Sequence, residues 1–597
     1  MALNLASPGI VVREVDLTIG RVDATSGSIG ALVAPFTKGP VEEAQLIESE
    51  EDLLQTFGQP YSVDKHYEYW MVASSYLAYG GVMQVIRASD TGLKNAYVGI
   101  LTTAPLIKSE THYNQLGYDD NTITGVTIAA KTPGSYANGI RVSVIAAKAD
   151  QVLPFGGSIG ISTVGVGITQ TAVGRTVASS TGTKTLDGYI KGVVTGASAA
   201  TSTVEVKVLQ HVSAAGTVTN VDYAQGGVYN FLTSQPVSIG GTTGSVAGMA
   251  ATSITSATDW FESQNIELTT KDANGNNIKL EWDQLADAPG TSSYAAARGG
   301  RFDEVHVVVI DDKGTITGNA GTVLEKHLNL SKAKDAEYSV GSTAYWRKYL
   351  ATNSQYIYGG SAPAGITTSG FTGGTATAFG NLDADGGWDQ DADGVNFGLS
   401  GVFTGSLGGG TNYGGKTDYT TSGALNSGID DLISGYELFS NTEDIEVDFI
   451  LMGAAHHDKF ESQAVAEKCI AVAEARKDAV AFISPHRKAF LNDSAAGSVT
   501  VNNIDTMTNN VVDFYGPISS TTFGVFDSGY KYMFDRFNNT FRYVPLNGDI
   551  AGTCARTDIE QFPWFSPAGT ARGSILNSVK LSTILVRNRE IFYTQIE

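Results

Sequence analysis

The chain has 597 residues, too many for one hydrophobic core, and at roughly 100–200 residues per domain it divides into about three to five units. A net charge of -22, from 39 Lys and Arg against 61 Asp and Glu with no basic run, excludes nucleic acid as a partner, because phosphate binding needs clustered positive charge. Charged residues make up 17% against a usual ~25%, and 69 glycines exceed the usual ~7%, a balance that favours β-rich, loop-rich units with surface to bury between subunits. Cys469 and Cys554 are too few and too far apart for a disulfide framework, which fits a reducing assembly compartment. No stretch reaches the ~18 consecutive apolar residues of a membrane helix, and the first residues lack a signal peptide's basic head and apolar block, so stable membrane insertion is not expected and a cytoplasmic, soluble product is.

In chain order, residues 1–20 hold Pro8-Gly9 and then Ile10-Val11-Val12-Arg13-Glu14-Val15, a β-prone segment with no strand signal within hairpin distance. It reads as an extended arm that adds a strand to another chain's sheet edge; an edge strand within its own chain fits the local residues equally well. From Ile29 to Ser89 the pattern is strand and helix in alternation. Ile29 to Val33 is a strand, and Ser49-Glu50-Glu51-Asp52 opens a short helix as a capping box, stopped at Gly58. A helix from His66 to Tyr79 ends at Gly80-Gly81, before a strand from Val82 to Ile86.

Residues 91–300 are short Gly, Thr, Ser, Ala and Val runs, such as Val204 to Val208, and predict inserted all-β domains. The continuous apolar run Val305 to Ile310 predicts a buried central strand where the α/β pattern resumes, followed by a helix through Leu324 and Leu328 and another around Trp346, Tyr349 and Leu350. Residues 359–423 are Gly-rich and predict a surface excursion. Then come a helix from Ile429 to Phe439, a strand from Ile445 to Met452, a helix from Glu461 to Lys477 and a strand from Val480 to Ile483. The expected fold class is multidomain α+β: an N-terminal arm at 1–20, an α/β core domain at 21–90 plus 301–535 interrupted by inserted all-β domains at 91–300, and a C-terminal α+β domain at 536–597. In that last part Phe541 to Ile575 combines Pro545, Gly548, Gly552 and Pro563 with Phe562, Trp564 and Phe565, and predicts irregular structure packed around buried aromatics.

Three motifs suggest chemistry, and each is weak. Gly410-Thr411-Asn412-Tyr413-Gly414-Gly415-Lys416-Thr417 spells GxxxxGKT, but a phosphate loop needs a helix directly after it, and Asp418 to Thr421 offers no apolar helical face. Asp389, Asp391, Asp393 and Gly394 open like a calcium loop, yet Ser400 stands where the bidentate acid belongs, so a solvated acidic loop is expected. His456-His457-Asp458 with Glu461 has no third ligand at a zinc spacing and reads as a helix cap with surface residues. No nucleophile, base and orienting acid share a recognisable spacing. The expectation is no enzyme, no cofactor and no metal.

Along the chain, Pro8 to Glu14, Pro35 to Pro40, Phe57-Gly58, Tyr79-Gly80-Gly81 leading to Val85 to Ser89, Val305 to Asp311, and above all Val544-Pro545, Ala551-Gly552, Ala555-Arg556-Thr557-Asp558, Trp564, Pro567-Ala568 and Gly573 resemble the tail sheath proteins of contractile-tailed bacteriophages of the myovirus type. The inserted β-rich residues carry almost none of this. The resemblance implies a structural virion protein, made in the host cytoplasm, whose copies stack as hexameric rings around a tail tube. It implies arms that add strands to neighbouring subunits, and partners in the tail tube, baseplate and tail terminator proteins. It implies inserted domains facing outward, and contraction of nearly rigid subunits that drives the tube through the host envelope. Arg542, Arg556, Asp558 and Arg572 are then candidates for subunit or tube contacts, since arginine pairs with carboxylates in a bidentate manner. Family members usually run on past the segment matched by Leu576 to Tyr593, whereas this sequence stops at Glu597, so either the sequence is incomplete or this member is truncated, and the resemblance assigns no C-terminal arm residues here. A β-rich adhesin or carbohydrate-binding protein is the alternative reading of the Gly, Thr and Ser runs.

Overall fold

The computed structural model describes residues 28–101, 103–117, 125–156, 164–179, 182–233, 235–239, 252–271, 274–363, 382–383, 388–454, 458–493, 499–569 and 572–583. The arm residues Pro8, Gly9, Ile10, Val11, Val12, Arg13, Glu14 and Val15 lie outside them, as do His456 and His457.

The chain begins with β1 (Ile29–Ala34), β2 (Ala44–Ile47), α1 (Glu50–Phe57), α2 (His66–Leu77) and β3 (Val82–Arg87). The Ser49 hydroxyl accepts from Asp52 N at 3.1 Å, and Gly58 leaves α1 at φ 81, so both ends sit where the cap residues put them. A long insertion follows. It contains β4 (Ile140–Ala146), β5 (Glu304–Asp311), β6 (Thr322–Ser331), α3 (Trp346–Asn353) and β7 (Gly401–Ser406). The first unit resumes with α4 (Ile429–Glu437), β8 (Phe449–Leu451), α5 (Lys459–Arg476), β9 (Val480–Ile483), α6 (Ile504–Tyr515) and β10 (Gly524–Phe526). Last come β11 (Gly529–Asp535), β12 (Thr540–Pro545), α7 (Asn547–Glu560) and β13 (Lys580–Thr583).

One six-stranded sheet runs β2-β3-β1-β8-β9-β10, parallel throughout except for β2, which is antiparallel to β3. Leu32 pairs with Val85 on one side and Leu451 on the other. Alternate side chains serve two cores. Leu32, Leu451 and Phe482 join Trp70, Tyr76 and Ile550 on the α2 and α7 face, while Val33, Ile450 and Ile483 join Tyr436, Cys469 and Phe514 on the α4, α5 and α6 face.

Val305 to Ile310 does not rejoin this sheet. β5 lies between β4 and β6 in a four-stranded antiparallel sheet of order β6-β5-β4-β7. Its run is apolar because both faces are covered, Val305, Val307 and Val309 by one core and Val308 and Ile310 by another. A doubly buried antiparallel strand therefore reads like a central parallel one. The helix expected through Leu324 and Leu328 is the strand β6, held by pairing to β5 over the β-branched start Thr322-Val323. The described part of 359–423 is likewise no surface excursion, since β7 completes the sheet beside β4 and Tyr413 is fully buried. Described strands between Gln151 and Asp259 form a further antiparallel sheet built on the hairpin Tyr189–Ser198 and Thr203–Val212.

The chain leaves the parallel sheet at Arg87 and returns to this unit with α4 just after Ser427, whose hydroxyl donates to Ser89 O at 3.3 Å. Arg87, fully buried, donates to Gly39 O at 2.9 Å and Pro133 O at 2.8 Å, and Tyr413 donates to Ala88 O at 2.8 Å. The GxxxxGKT stretch thus contributes a tyrosine plug to this joint. Gly410 packs against Gly134 and Asn138, and the next α-helix, α4, starts only at Ile429.

Candidate assembly surface around the last helix

β11 and β12 form a hairpin, with Tyr530 opposite Pro545 and Asp535 opposite Thr540, and β13 pairs along the other side of β11. Two residues after β12 the chain turns into α7, which the glycines and prolines of Phe541 to Ile575 had concealed. Gly548 and Gly552, read as turn residues, are helical and one turn apart on the face toward α2. A Cβ at 548 would stand 2.5 Å from Val72 O, and one at 552 would stand 2.3 Å from Tyr79 Cδ2. Only hydrogen there lets the two helices approach so closely. With Ala551 and Ala555 they form a stripe of small residues at helical spacing, and that spacing is the signal a sequence reading could have used.

The N-terminus of α7 fills the crevice beyond the carboxyl ends of the parallel strands, the place where open α/β sheets hold ligands. Asn547 Nδ2 donates to Gly453 O, just past β8, at 2.8 Å and to Ser484 Oγ, just past β9, at 2.9 Å. Ser484 in turn donates to Asp527, just past β10, whose other oxygen accepts from Gly529 N at 3.2 Å. Beside them Lys531 Nζ donates to Asp549 Oδ1 at 2.9 Å and to Ser75 Oγ at 2.8 Å, and the Tyr79 hydroxyl donates to the same carboxylate oxygen at 3.0 Å. Arg487 and Glu68 form a second buried ion pair, with the Tyr67 hydroxyl accepting from Arg487 at 2.9 Å. Burial pushes the Asp549 carboxyl up despite Lys531.

Asp527 forms no ion pair among the described residues, and burial pushes its carboxyl up to about 7, against the hydrogen bonds from Ser484 and Gly529. A carboxyl raised on folding contributes stability that is complete below its unfolded pKa, near 3.9, and is lost as pH rises through its folded value. Between pH 5 and 7 the contribution of Asp527 alone should therefore fall by about 1 kcal/mol per pH unit, below the ~1.4 limit for one proton, against the opposite trend from the buried imidazoles of His66 and His486, so the difference in stability between the parent and Asp527→Asn, read in urea titrations at several pH values, should change by that amount.

The four candidate contact residues all lie on this unit and all have partners within the chain. Arg542 Nε donates to Asp535 Oδ2 at 3.0 Å, with its guanidinium 4.3 Å from the Tyr67 ring centre. Arg556 donates to the carbonyls of Arg572 and Ser574 and lies 5.0 Å over Tyr79. Asp558 accepts from the Ser28 hydroxyl, and Arg572 stands 5.4 Å over Phe565. Arg556 thus holds the loop after α7 beside Tyr79, just past α2, and Arg542 holds β12 against Tyr67 of α2.

The aromatics of that loop are not core. Phe562 is 53% exposed, Trp564 76% and Phe565 39%, with the Phe562 and Trp564 rings stacked at 4.7 Å and 3°. Residue type marked them as packing groups, and the structure has them packing on one another at the surface.

The other motifs take structural roles. Asp389 pairs with buried Arg347 and accepts from the Tyr345 hydroxyl at 2.5 Å, while Asp391 turns to Lys334 at 3.7 Å, so the acids of the calcium-like stretch face different partners. Asp458 caps α5, accepting from Phe460 N at 2.8 Å. Among the described residues no three His, Cys, Asp or Glu side chains gather as metal ligands, and no helix is long and apolar enough to cross a membrane. Cys469 and Cys554 are both free thiols, and burial pushes Cys554 up to about 12.

No defined protein-family profile matches the chain. Curated proteins do. The tail sheath protein of Enterobacteria phage T4 is 25% identical over 97% of this chain and 77% of its own length, and that of Vibrio phage KVP40 is 27% identical over 99% and 79%. The tail sheath protein of Salmonella phage ViI matches 46% of the chain at 23% identity. A solved sheath tail protein from Listeria innocua covers 88% of the chain at 8% identity and a TM-score of 0.29, too slight a likeness to bear on the fold. The resemblance carried by the scattered motifs thus extends over nearly the whole chain, which is homologous to bacteriophage tail sheath proteins.

Proposed function

We propose that the chain is a structural subunit of a contractile phage tail sheath, polymerising with itself as stacked hexameric rings around a tail tube and contracting to drive that tube through the host envelope. The observation that carries this is the match to two tail sheath proteins over 97% and 99% of the chain. Tail tube, baseplate and tail terminator proteins are the further partners this reading calls for, with assembly in the host cytoplasm and a final place in the virion tail. The polar crevice of the parallel sheet, closed by Asn547 and Asp549, suits a subunit that moves as a block. In this reading the sheet unit and the α7 unit face the tube, the inserted sheets face outward, and Arg542, Arg556, Asp558 and Arg572 lie at or near subunit contacts. Residues 8–15 act as an arm that adds a strand to a neighbour's sheet edge.

Deleting residues 1–15 should leave a folded subunit, with unchanged circular dichroism, that forms no long ribbed tubes in negative-stain micrographs. Normal tubes from the deleted chain would remove the arm assignment. Monodisperse particles from the full chain under all assembly conditions would remove the sheath reading itself.

A further inference from the structure

Asparagine followed by glycine is the pair most open to a spontaneous backbone reaction, because glycine has no side chain to shield its amide nitrogen and turns readily into the shape the attack needs. The chain has three such pairs, Asn138-Gly139, Asn274-Gly275 and Asn547-Gly548, and the fold treats them differently. Asn547 is fully buried in the first turn of α7, with its amide nitrogen held by Gly453 O and Ser484 Oγ. Asn138 is held at both ends of its amide, Nδ2 donating to Gly410 O and Oδ1 accepting from Gly410 N, each at 2.8 Å. Space is short there as well, since a Cβ at Gly139 would stand 2.8 Å from Thr315 Oγ1. Asn274 and Gly275 lie instead at the tip of a hairpin. Its strands, Asn265–Lys271 and Asn277–Glu281, pair as far as Lys271 opposite Asn277, and beyond that pair Asn274, Gly275 and Asn276 are exposed. Gly275 takes φ 84, and a Cβ there would meet nothing within 4 Å. This amide has room around it for ring closure and water beside it to open the ring.

We propose that Asn274 is a modification site, converting in the folded subunit to aspartate and isoaspartate through a cyclic imide formed with Gly275. The Gly275 nitrogen, giving its proton to hydroxide, bonds to Asn274 Cγ, and the Cγ–Nδ2 bond breaks to release ammonia. Water then adds to either carbonyl of the ring and breaks its bond to the ring nitrogen. Opening at the side-chain carbonyl gives aspartate, and opening at the main-chain carbonyl gives isoaspartate, whose backbone runs through Cβ and Cγ. Nothing is oxidised or reduced, and water is the only co-reactant. Either product adds a negative charge at the hairpin tip, and isoaspartate also lengthens the backbone by a methylene group. An exposed turn beyond the last paired residues absorbs that change, whereas at Asn547 it would break into the seat of α7 on the sheet. Copies of different age therefore come to differ at position 274 while Asn138 and Asn547 stay intact. The inference goes beyond the sheath reading and does not depend on it.

The test is to hold the full folded chain in mildly alkaline buffer made with water enriched in heavy oxygen, and then to map its peptides by mass spectrometry. The expected result is heavy-oxygen label with the amide-to-acid mass change at position 274, growing with time and faster at higher pH because the attacking nitrogen must lose its proton. Asn138 and Asn547 should convert at least about tenfold more slowly, since each must first leave the hydrogen bonds that hold it. In urea, where those bonds are gone, the three rates should converge. An intact Asn274 in the folded chain overturns the proposal, and so do equal rates at the three positions before urea is added. Asn274→Gln gives a second readout. It should remove most of the acidic species that accumulates on native isoelectric focusing, and an undiminished acidic species overturns the assignment to this residue. Neither readout involves assembly, so a failure here leaves the sheath role standing, and a chain that forms no tubes leaves this site standing.

Discussion

Gly548→Ala should destabilise the parallel-sheet unit by about 2 kcal/mol, although alanine in an exposed helix interior is worth about 1 kcal/mol more than glycine. The sign reverses because of what the new methyl group meets. It would lie 2.5 Å from Val72 O and 2.9 Å from Val72 Cγ1, and Val72 sits fully buried in α2. A side chain can turn aside, but a carbonyl in a helix moves only with the helix. Gly552→Ala meets a ring instead, with Tyr79 Cδ2 at 2.3 Å. That ring is held through its hydroxyl by Asp549 and by Leu576 N at 2.9 Å, so swinging it away breaks two hydrogen bonds and costs a similar amount. Urea denaturation followed by tryptophan fluorescence reads both, through Trp70 in the affected core. A Gly548→Ala chain as stable as the parent would mean that α2 and α7 are not in this contact.

Much of the parallel sheet was legible, and the failures share a physical cause. Ser49 and Gly58 gave both ends of α1 because caps act over three or four residues. β1, α2, β3, α5 and β9 followed from periodicity for the same reason: the information is local. What could not be read depends on partners far away in sequence. Val305 to Ile310 is apolar on both faces whichever sheet it enters, and only its pairing with Ser143 and Val144 decides. Glycines 548 and 552 look like breakers until the neighbouring helix that requires them is known. The contact candidates on the last unit were named from residue type, and the structure gives each an intramolecular partner, such as Asp535 for Arg542, that no spacing reveals. The Tyr79 to Asp549 hydrogen bond spans 470 residues, and nothing local in either stretch points to the other.

Lys531→Met should cost about 3–5 kcal/mol, the usual consequence of stranding one buried charge. Lys531 and Asp549 have side chains only 1% and 0% exposed, so water cannot replace the lost ammonium. The Tyr79 hydroxyl would remain as a donor to Asp549, which is a dipole where a full charge had been. The carboxyl, already pushed up by burial, would rise further without its countercharge. Its contribution to stability is then complete below the unfolded pKa, about 3.9, and is lost as pH climbs through the folded value, so the Lys531→Met chain should recover on going from pH 8 to pH 5. Removing the second charge as well should restore most of the loss, because a buried ion pair and an apolar pair of similar volume differ little in net stability. Lys531→Met with Asp549→Leu is therefore expected to be more stable than Lys531→Met alone at pH 8, and the two should converge toward pH 5. If instead the single variant matched the parent at pH 8, the pair would contribute nothing to holding α7 on the sheet, and the small-residue contact with α2 and the Asn547 hydrogen bonds would have to hold it.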